Sequence, residues 1–115
     1  MIKKQKDMDV QVRTNMRDGE GDITIQHCFN KDEMTAQSRL CAKLTIPPDA
    51  SIGTHQHDGE DEVYIILKGT GMLDDGSTQT EVSEGDAILT GNGESHAIAN
   101  NGSEPLELIA VIMCY

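Results

Sequence analysis

Aromatic residues are nearly missing from this chain of 115 residues, which carries one Phe, two Tyr and no Trp. Whatever core it builds must rest on Ile, Leu, Val, Ala and Met. Positive charge is scarce too: nine Lys and Arg stand against 20 Asp and Glu, for a formal net charge of −11. Such a chain is a poor partner for a phosphate backbone or an anionic membrane surface, so neither nucleic acid nor membrane is expected, and the acidity itself is read as solubility. No apolar run approaches the roughly 20 residues that span a bilayer. Lys3, Lys4 and Lys6 are followed by Asp7 and Asp9 rather than by an apolar stretch, so a secretory signal is not expected. The cysteines, Cys28, Cys41 and Cys114, are odd in number and form no CxxC pair, which argues against a disulfide framework and for the reducing cytoplasm. Each is expected to act as a small buried hydrophobe.

A long helical period is also lacking. Short alternating runs separated by turn signals take its place, which predicts an all-β barrel or sandwich in one domain spanning residues 1–115. Residues 1–9 read as a loose tail, and Val10 to Val12 as a short first strand. After a turn at Arg17 to Asp22, a strand with Ile23, Ile25, His27 and Phe29 on one face is expected. His27 reads either as a group touching a ligand inside the barrel or as a half-buried histidine satisfied by backbone or water, and the second reading is favoured. Asn30 to Gln37 is expected to hold no more than one helical turn, capped by Asn30 with Glu33 three residues on. From Arg39 to Ile46, alternation sets Leu40, Ala42, Leu44 and Ile46 against Arg39, Cys41, Lys43 and Thr45, and a hydrated outer face is the expected home of Arg39 and Lys43. Leu106 to Tyr115 closes the chain as a strand apolar on both sides, interrupted only by Glu107 up to Met113. A second copy of the chain in a homodimer, or packing by residues 10–29, is expected to cover its other face.

Between those segments lie three histidines and a glutamate suited to one metal ion. His55 and His57 are an i, i+2 pair, which a strand projects from one face. A turn through Asp58 to Asp61 folds the next run back, so that Glu62, which shares a side with Tyr64 and Ile66, meets them. Glu60, Asp61 and Glu62 all offer a carboxylate, but only Glu62 begins the β-patterned run to Leu67. His96, followed four residues later by Asn100, supplies the third imidazole. Nitrogen and oxygen donors of this kind suit Mn, Fe, Ni, Zn or Cu. Four protein ligands leave a six-coordinate ion an open side.

At these positions the chain resembles the cupin superfamily. That family's first motif reads Gly, five residues, His-x-His, three or four residues, Glu, six residues, Gly; here His55-x-His57, four residues, Glu62, six residues and Gly69 match, with Asp49 in place of the opening glycine. The second reads Gly, five residues, Pro-x-Gly, two residues, His, three residues, Asn; here Gly85, five residues, Gly91-x-Gly93, two residues, His96, three residues and Asn100 match, with Gly91 in place of proline. Both departures fall on turn positions, and the resemblance covers about residues 40–111. It implies a double-stranded β-helix, or jelly roll, with one divalent transition metal on His55, His57, Glu62 and His96, and it favours a dimer. The function expected from it is a metal-dependent enzyme, of isomerase, lyase or dioxygenase type, acting on a small polar molecule such as a sugar derivative or organic acid. The alternative is a cup that binds a small ligand without turning it over. Tyr64, on the face of Glu62, reads as a general acid or hydrogen-bond donor toward the open side, or as a packing residue with a tethered hydroxyl. Asn100 is expected to be structural or to orient a ligand residue.

Overall fold

The computed structural model describes residues 1–115, and in it ten strands form two antiparallel sheets. In chain order they are β1 (Asp9–Thr14), β2 (Asp22–Phe29), β3 (Ser38–Ile46), β4 (Ser51–Gln56), β5 (Glu60–Lys68), β6 (Thr70–Asp74), β7 (Gln79–Ser83), β8 (Ala87–Thr90), β9 (Ser95–Ala99) and β10 (Leu106–Cys114). One sheet runs β1-β2-β3-β10-β5-β8 and the other β4-β9-β6-β7, the jelly-roll arrangement. Single 3₁₀ turns occupy Gln5–Asp7, Met16–Asp18 and Lys31–Glu33. No helix is long and apolar enough to cross a membrane.

Alternation explains the core. Ile23 and Ile25 of β2, Ala42, Leu44 and Ile46 of β3, and Leu106, Leu108 and Ala110 of β10 point inward against Ile52 and Ile98 of the smaller sheet. Full burial of an Ile or Leu contributes about 1.5–3 kcal/mol, so this layer carries the fold with Tyr64 as its one aromatic. Short polar side chains close the turns. The Asp75 carboxylate accepts from the backbone N–H of Ser77 and Thr78 between β6 and β7, at 2.9 and 2.8 Å. Asn30 begins the expected single turn, its N–H donating to Glu33 Oε1 at 2.7 Å.

Four expectations change. The first nine residues are not featureless, because a 3₁₀ turn precedes β1, β1 begins at Asp9, and Lys3 pairs with Glu33 beside the Phe29 ring. Phe29 leaves the face of Ile23, Ile25 and His27: the ladder with β3 slips at Cys28, so Phe29 stands opposite Cys41 on the outer side. Arg39 is the second casualty of a slip. On β3, Leu40 pairs with Ile112 and Ser38 with Met113, which leaves Arg39 as the extra residue of a bulge and turns it toward the barrel mouth. Lys43 keeps its outer position, 3.8 Å from Glu107.

The fourth concerns β10, which lies in the middle of the large sheet, hydrogen-bonded to β3 and β5. Strands β1 and β2 extend the sheet sideways and do not cover its back, so packing by residues 10–29 is not what shields Ile109 and Val111. Those two are half-buried, while Ile65, Leu67, Leu89 and Met113 around them are exposed. The three thiols are free and half-buried rather than fully buried.

Candidate metal centre

Both sheets contribute to the cage. His55 of β4 stands directly opposite His96 of β9, and His57 follows β4 with its N–H bonded to Glu94 O at 2.9 Å. Glu62 comes from β5 across the barrel, opposite Thr90 of β8. His57, Glu62 and His96 are buried, and their ligand atoms and that of His55 all lie within 4.8 Å of one another. The Nε2 atom of His96 is 3.1 Å from those of both His55 and His57, and Glu62 Oε1 is 2.9 Å from His57 Nε2 and from His96 Nε2. Ligands about 2.1 Å from a common ion and at right angles to each other would be about 3.0 Å apart, which these spacings match.

Proton placement decides what the cage is for. A backbone carbonyl only accepts, so His55 must donate its Nδ1–H to Gly53 O, 2.7 Å away. His57 donates its Nδ1–H to Glu60 Oε2 at 2.6 Å, and Glu60 is ionised, its carboxyl held down to about 2 by hydrogen bonds from Arg39 first and His57 next. Arg39 grips the same carboxylate with a fork, Nε to Oε1 and Nη2 to Oε2, both 2.8 Å. His96 Nδ1 meets the Thr90 hydroxyl at 2.8 Å. The outer nitrogens of His55 and His57 thus hold protons, and when those rings carry no second proton their inner nitrogens turn lone pairs toward Glu62 Oε1, 2.9 Å from His57 and 3.9 Å from His55, a buried oxygen left without a hydrogen bond in that state. Close contact between acceptors is repulsive unless positive charge sits among them.

Protonation of the rings is the competing source of that charge. Burial raises the Glu62 carboxyl, and hydrogen bonds from protonated His55 and His96 would pull it down to about 2, so the group is a carboxylate only if positive charge or protons come from the imidazole side. Burial pushes His96 the other way, toward the neutral ring. A divalent cation answers both demands, and the cage fits one.

Tyr64 packs against the cage. Its ring stacks on His96 with centroids 4.9 Å apart at 22°. Burial first, then the Glu62 charge, raises its pKa well above the ordinary value, so it is a neutral hydroxyl that donates rather than a base. A cavity of about 130 Å³ opens beside His55, His57, Glu62 and Tyr64. His27 lines it with its ring Nε2 3.3 Å from Gln11 Oε1, and all three arginines of the sequence, Arg13, Arg17 and Arg39, line it too.

The four residues marked from spacing therefore meet at one point, with Tyr64 beside them. Asn100 does not touch the cage: it donates from Nδ2 to Ile46 O and Glu104 O, both at 2.8 Å, and accepts from Gly102 N, which fixes the turn into β10. Spacing alone missed Gly53, Glu60 and Thr90, the groups that orient the rings, and it missed Arg13 and Arg17. Glu60 had a visible signal, as an acidic neighbour of the chosen carboxylate.

The family profile described as a cupin domain matches residues 42–112. The chain belongs to the cupin family. Among its relatives, an oxalate-binding protein of Thermotoga maritima is 41% identical over 100 residues, covering 87% of this chain and 83% of that protein. The crystal structure of a predicted oxalate decarboxylase, also from Thermotoga maritima, superposes with a TM-score of 0.94 at 36% identity over all of both chains. The polyketide cyclase RemF of Streptomyces resistomycificus shares the fold, with a TM-score of 0.80 at 18% identity over all of this chain and 81% of that one. The two departures from the cupin motifs have physical reasons in this cupin. Asp49 adopts the left-handed conformation itself, at φ 67°. Gly91 leaves room for the Asp61 carboxylate, which would lie 1.9 Å from any Cβ placed there.

Proposed function

We propose that this cupin holds one divalent transition metal ion on His55, His57, Glu62 and His96 and binds a small carboxylate anion, of which oxalate is the leading candidate, on the side of the ion that faces the cavity. The observation that carries the metal is the set of inward lone pairs around an unpartnered buried carboxylate oxygen. The relative named for oxalate binding supports the ligand. The cavity agrees in size: about 130 Å³ has room for roughly four waters, and so for a ligand of only a few heavy atoms. When bound, the ion would supply Lewis-acid attraction for a carboxylate oxygen. Around it, Glu60 and Gly53 hold the rings in the tautomer that faces inward, Thr90 steadies His96, and Tyr64 offers a proton or hydrogen bond from the wall.

Binding is the reading that geometry supports best, because no carboxylate in the cavity is free for acid or base work: Glu62 belongs to the cage and Glu60 is locked by Arg39 and His57. Turnover is the second reading, and the protonated Tyr64 hydroxyl favours it. A lyase acting on such an anion breaks a C–C bond, releases carbon dioxide and needs one proton delivered to the remaining carbon, and the neutral Tyr64 hydroxyl on the cavity wall is our candidate donor. We also read the half-exposed back of the large sheet as the face of a homodimer, and the cytoplasm as the place of work.

Calorimetry with oxalate on metal-loaded and chelator-stripped protein tests the proposal. Binding to the loaded form alone supports it, and equal binding or none in both forms refutes it. Formate appearing with carbon dioxide, and slowed in Tyr64→Phe without metal loss, would promote the second reading over the first.

A further inference from the structure

Arginine is used in one place only. Of the nine cations of this acidic chain, the six lysines lie elsewhere, and Arg13, Arg17 and Arg39 line the cavity beside the metal cage. Arg39 is neutralised by its fork on Glu60. Arg13 and Arg17 have no acidic partner at all, although the chain holds 20 acidic residues. Both are exposed at that opening, so their guanidiniums are free to meet an anion there.

Arg17 is also held there against its backbone preference. The bend between β1 and β2 places Asn15, Arg17 and Asp18 at φ of 52°, 56° and 64°, and of these Arg17 is the residue least suited to the left-handed region. The surroundings enforce the conformation. Ser51 N–H donates to Glu20 O at 2.8 Å and Glu20 N–H to Ser51 Oγ at 3.0 Å, which pins the bend to β4. At Gly53 a Cβ would lie 2.0 Å from the Arg17 carbonyl, and at Gly19 a Cβ would lie 2.2 Å from Ser51 O, so two glycines let the backbones touch. Gly53 is the same residue whose carbonyl takes the Nδ1 proton of His55. One glycine thus ties the arginine-bearing bend to the metal cage, and a non-glycine strained at a site edge is a mark of function.

We propose that Arg13 and Arg17 hold the second carboxylate of a dicarboxylate whose first carboxylate faces the metal cage, so that the bend selects dianions over monoanions. This rests on the function proposed above and adds to it the residues that read the ligand. The charges agree: a divalent ion facing the one carboxylate of Glu62 leaves positive charge in excess, and the two free arginines add to it. The residues lie outside the part of the chain that matches the cupin profile, residues 42–112, so ligand choice is separated from metal holding.

The test is calorimetry on protein loaded with one equivalent of Zn²⁺, a closed-shell ion, with oxalate and acetate as probes. Parent, Arg13→Gln, Arg17→Gln, the double variant, Arg17→Lys and the outer-face control Lys43→Gln are compared, with zinc content checked for each. Each single glutamine variant should lose about tenfold or more in oxalate affinity, and the double variant about a hundredfold, while acetate affinity moves by less than about threefold. Arg17→Lys should fall between parent and Arg17→Gln, since charge remains and the fork is lost. Parent-like oxalate affinity in the double variant, or equal losses for oxalate and acetate, overturns the arginine assignment and leaves the proposed function standing. A loaded parent that binds neither probe removes the proposed function, and this assignment with it.

Discussion

The metal cage and the wall that faces it come from different parts of the chain and are specified in different ways. The cage is built from residues 55–96, by side chains on paired strands whose rings each have a fixed outer partner. The wall is built largely from residues 11–39, by a strained bend and a bulge, and its cations Arg13 and Arg17 have no partner. On the proposed function, such a site would keep its metal while its ligand preference changed, because separate elements would carry the two tasks. They meet at Gly53, through His55 on one side and Arg17 on the other, and at Glu60, through His57 and Arg39.

That division can be sharpened or broken by experiment. Removing the ion should have the largest effect, since it leaves Glu62 and the inner ring nitrogens facing one another. At a thousandfold excess over Kd a ligand adds about 4 kcal/mol to stability, so restoring metal to chelator-treated protein should raise Tm by about 15 °C, measured by scanning calorimetry. Next comes Glu60→Gln, which removes the partner of both His57 and Arg39. Metal affinity should fall about 10- to 100-fold in a competition titration, as for other groups that orient a metal-bound histidine, and unchanged affinity would show that His57 needs no such support.

Gly53→Ala acts on the wall from the cage side. Its Cβ must displace the Arg17 carbonyl, at a cost of about 1–3 kcal/mol in urea unfolding, and dicarboxylate affinity should drop while metal content persists. Gly76→Ala, whose Cβ would meet nothing within 4 Å, serves as the control and should cost only the left-handed backbone penalty of about 1 kcal/mol. Asp75→Ala, in the hairpin between β6 and β7, gives the smallest effect and touches neither part. Hydrogen bonds from Thr78 and Ser77 hold the Asp75 carboxyl down to about 2, below its ordinary 3.8. Its contribution is complete about one pH unit above the ordinary value and is lost as pH falls through about 2, so the Tm difference between variant and parent should be constant above about pH 5 and narrow below it.

The cage was legible because its chemistry is written in spacing. An i, i+2 pair at the end of one strand, a carboxylate near the start of the next and a histidine across a turn needed only the period of two to converge. Tyr64 was legible for the same reason, as the inward neighbour of Glu62. Arg39 was misplaced by that very rule, since strict alternation puts it with Lys43, and one extra residue in β3 turns it around. Phe29 failed likewise at Cys28. Bulges depend on how two distant strands pair, and no single segment announces them. The left-handed Arg17 is a further case: the sequence marks a turn at residues 17–22, but the conformation that aims the side chain is set by Gly19 and Gly53, 34 positions apart. The position of β10 in the middle of the sheet is a matter of topology, which its apolar composition fits but does not specify.

Elemental analysis of protein purified without added metal, for the parent and for His57→Ala/His96→Ala, tests the central claim most directly. We expect about one transition metal ion per parent chain and less than about a tenth of that in the double variant, with the β-sheet circular dichroism retained. Equal metal content in the two proteins would contradict the assignment of these residues as the cage.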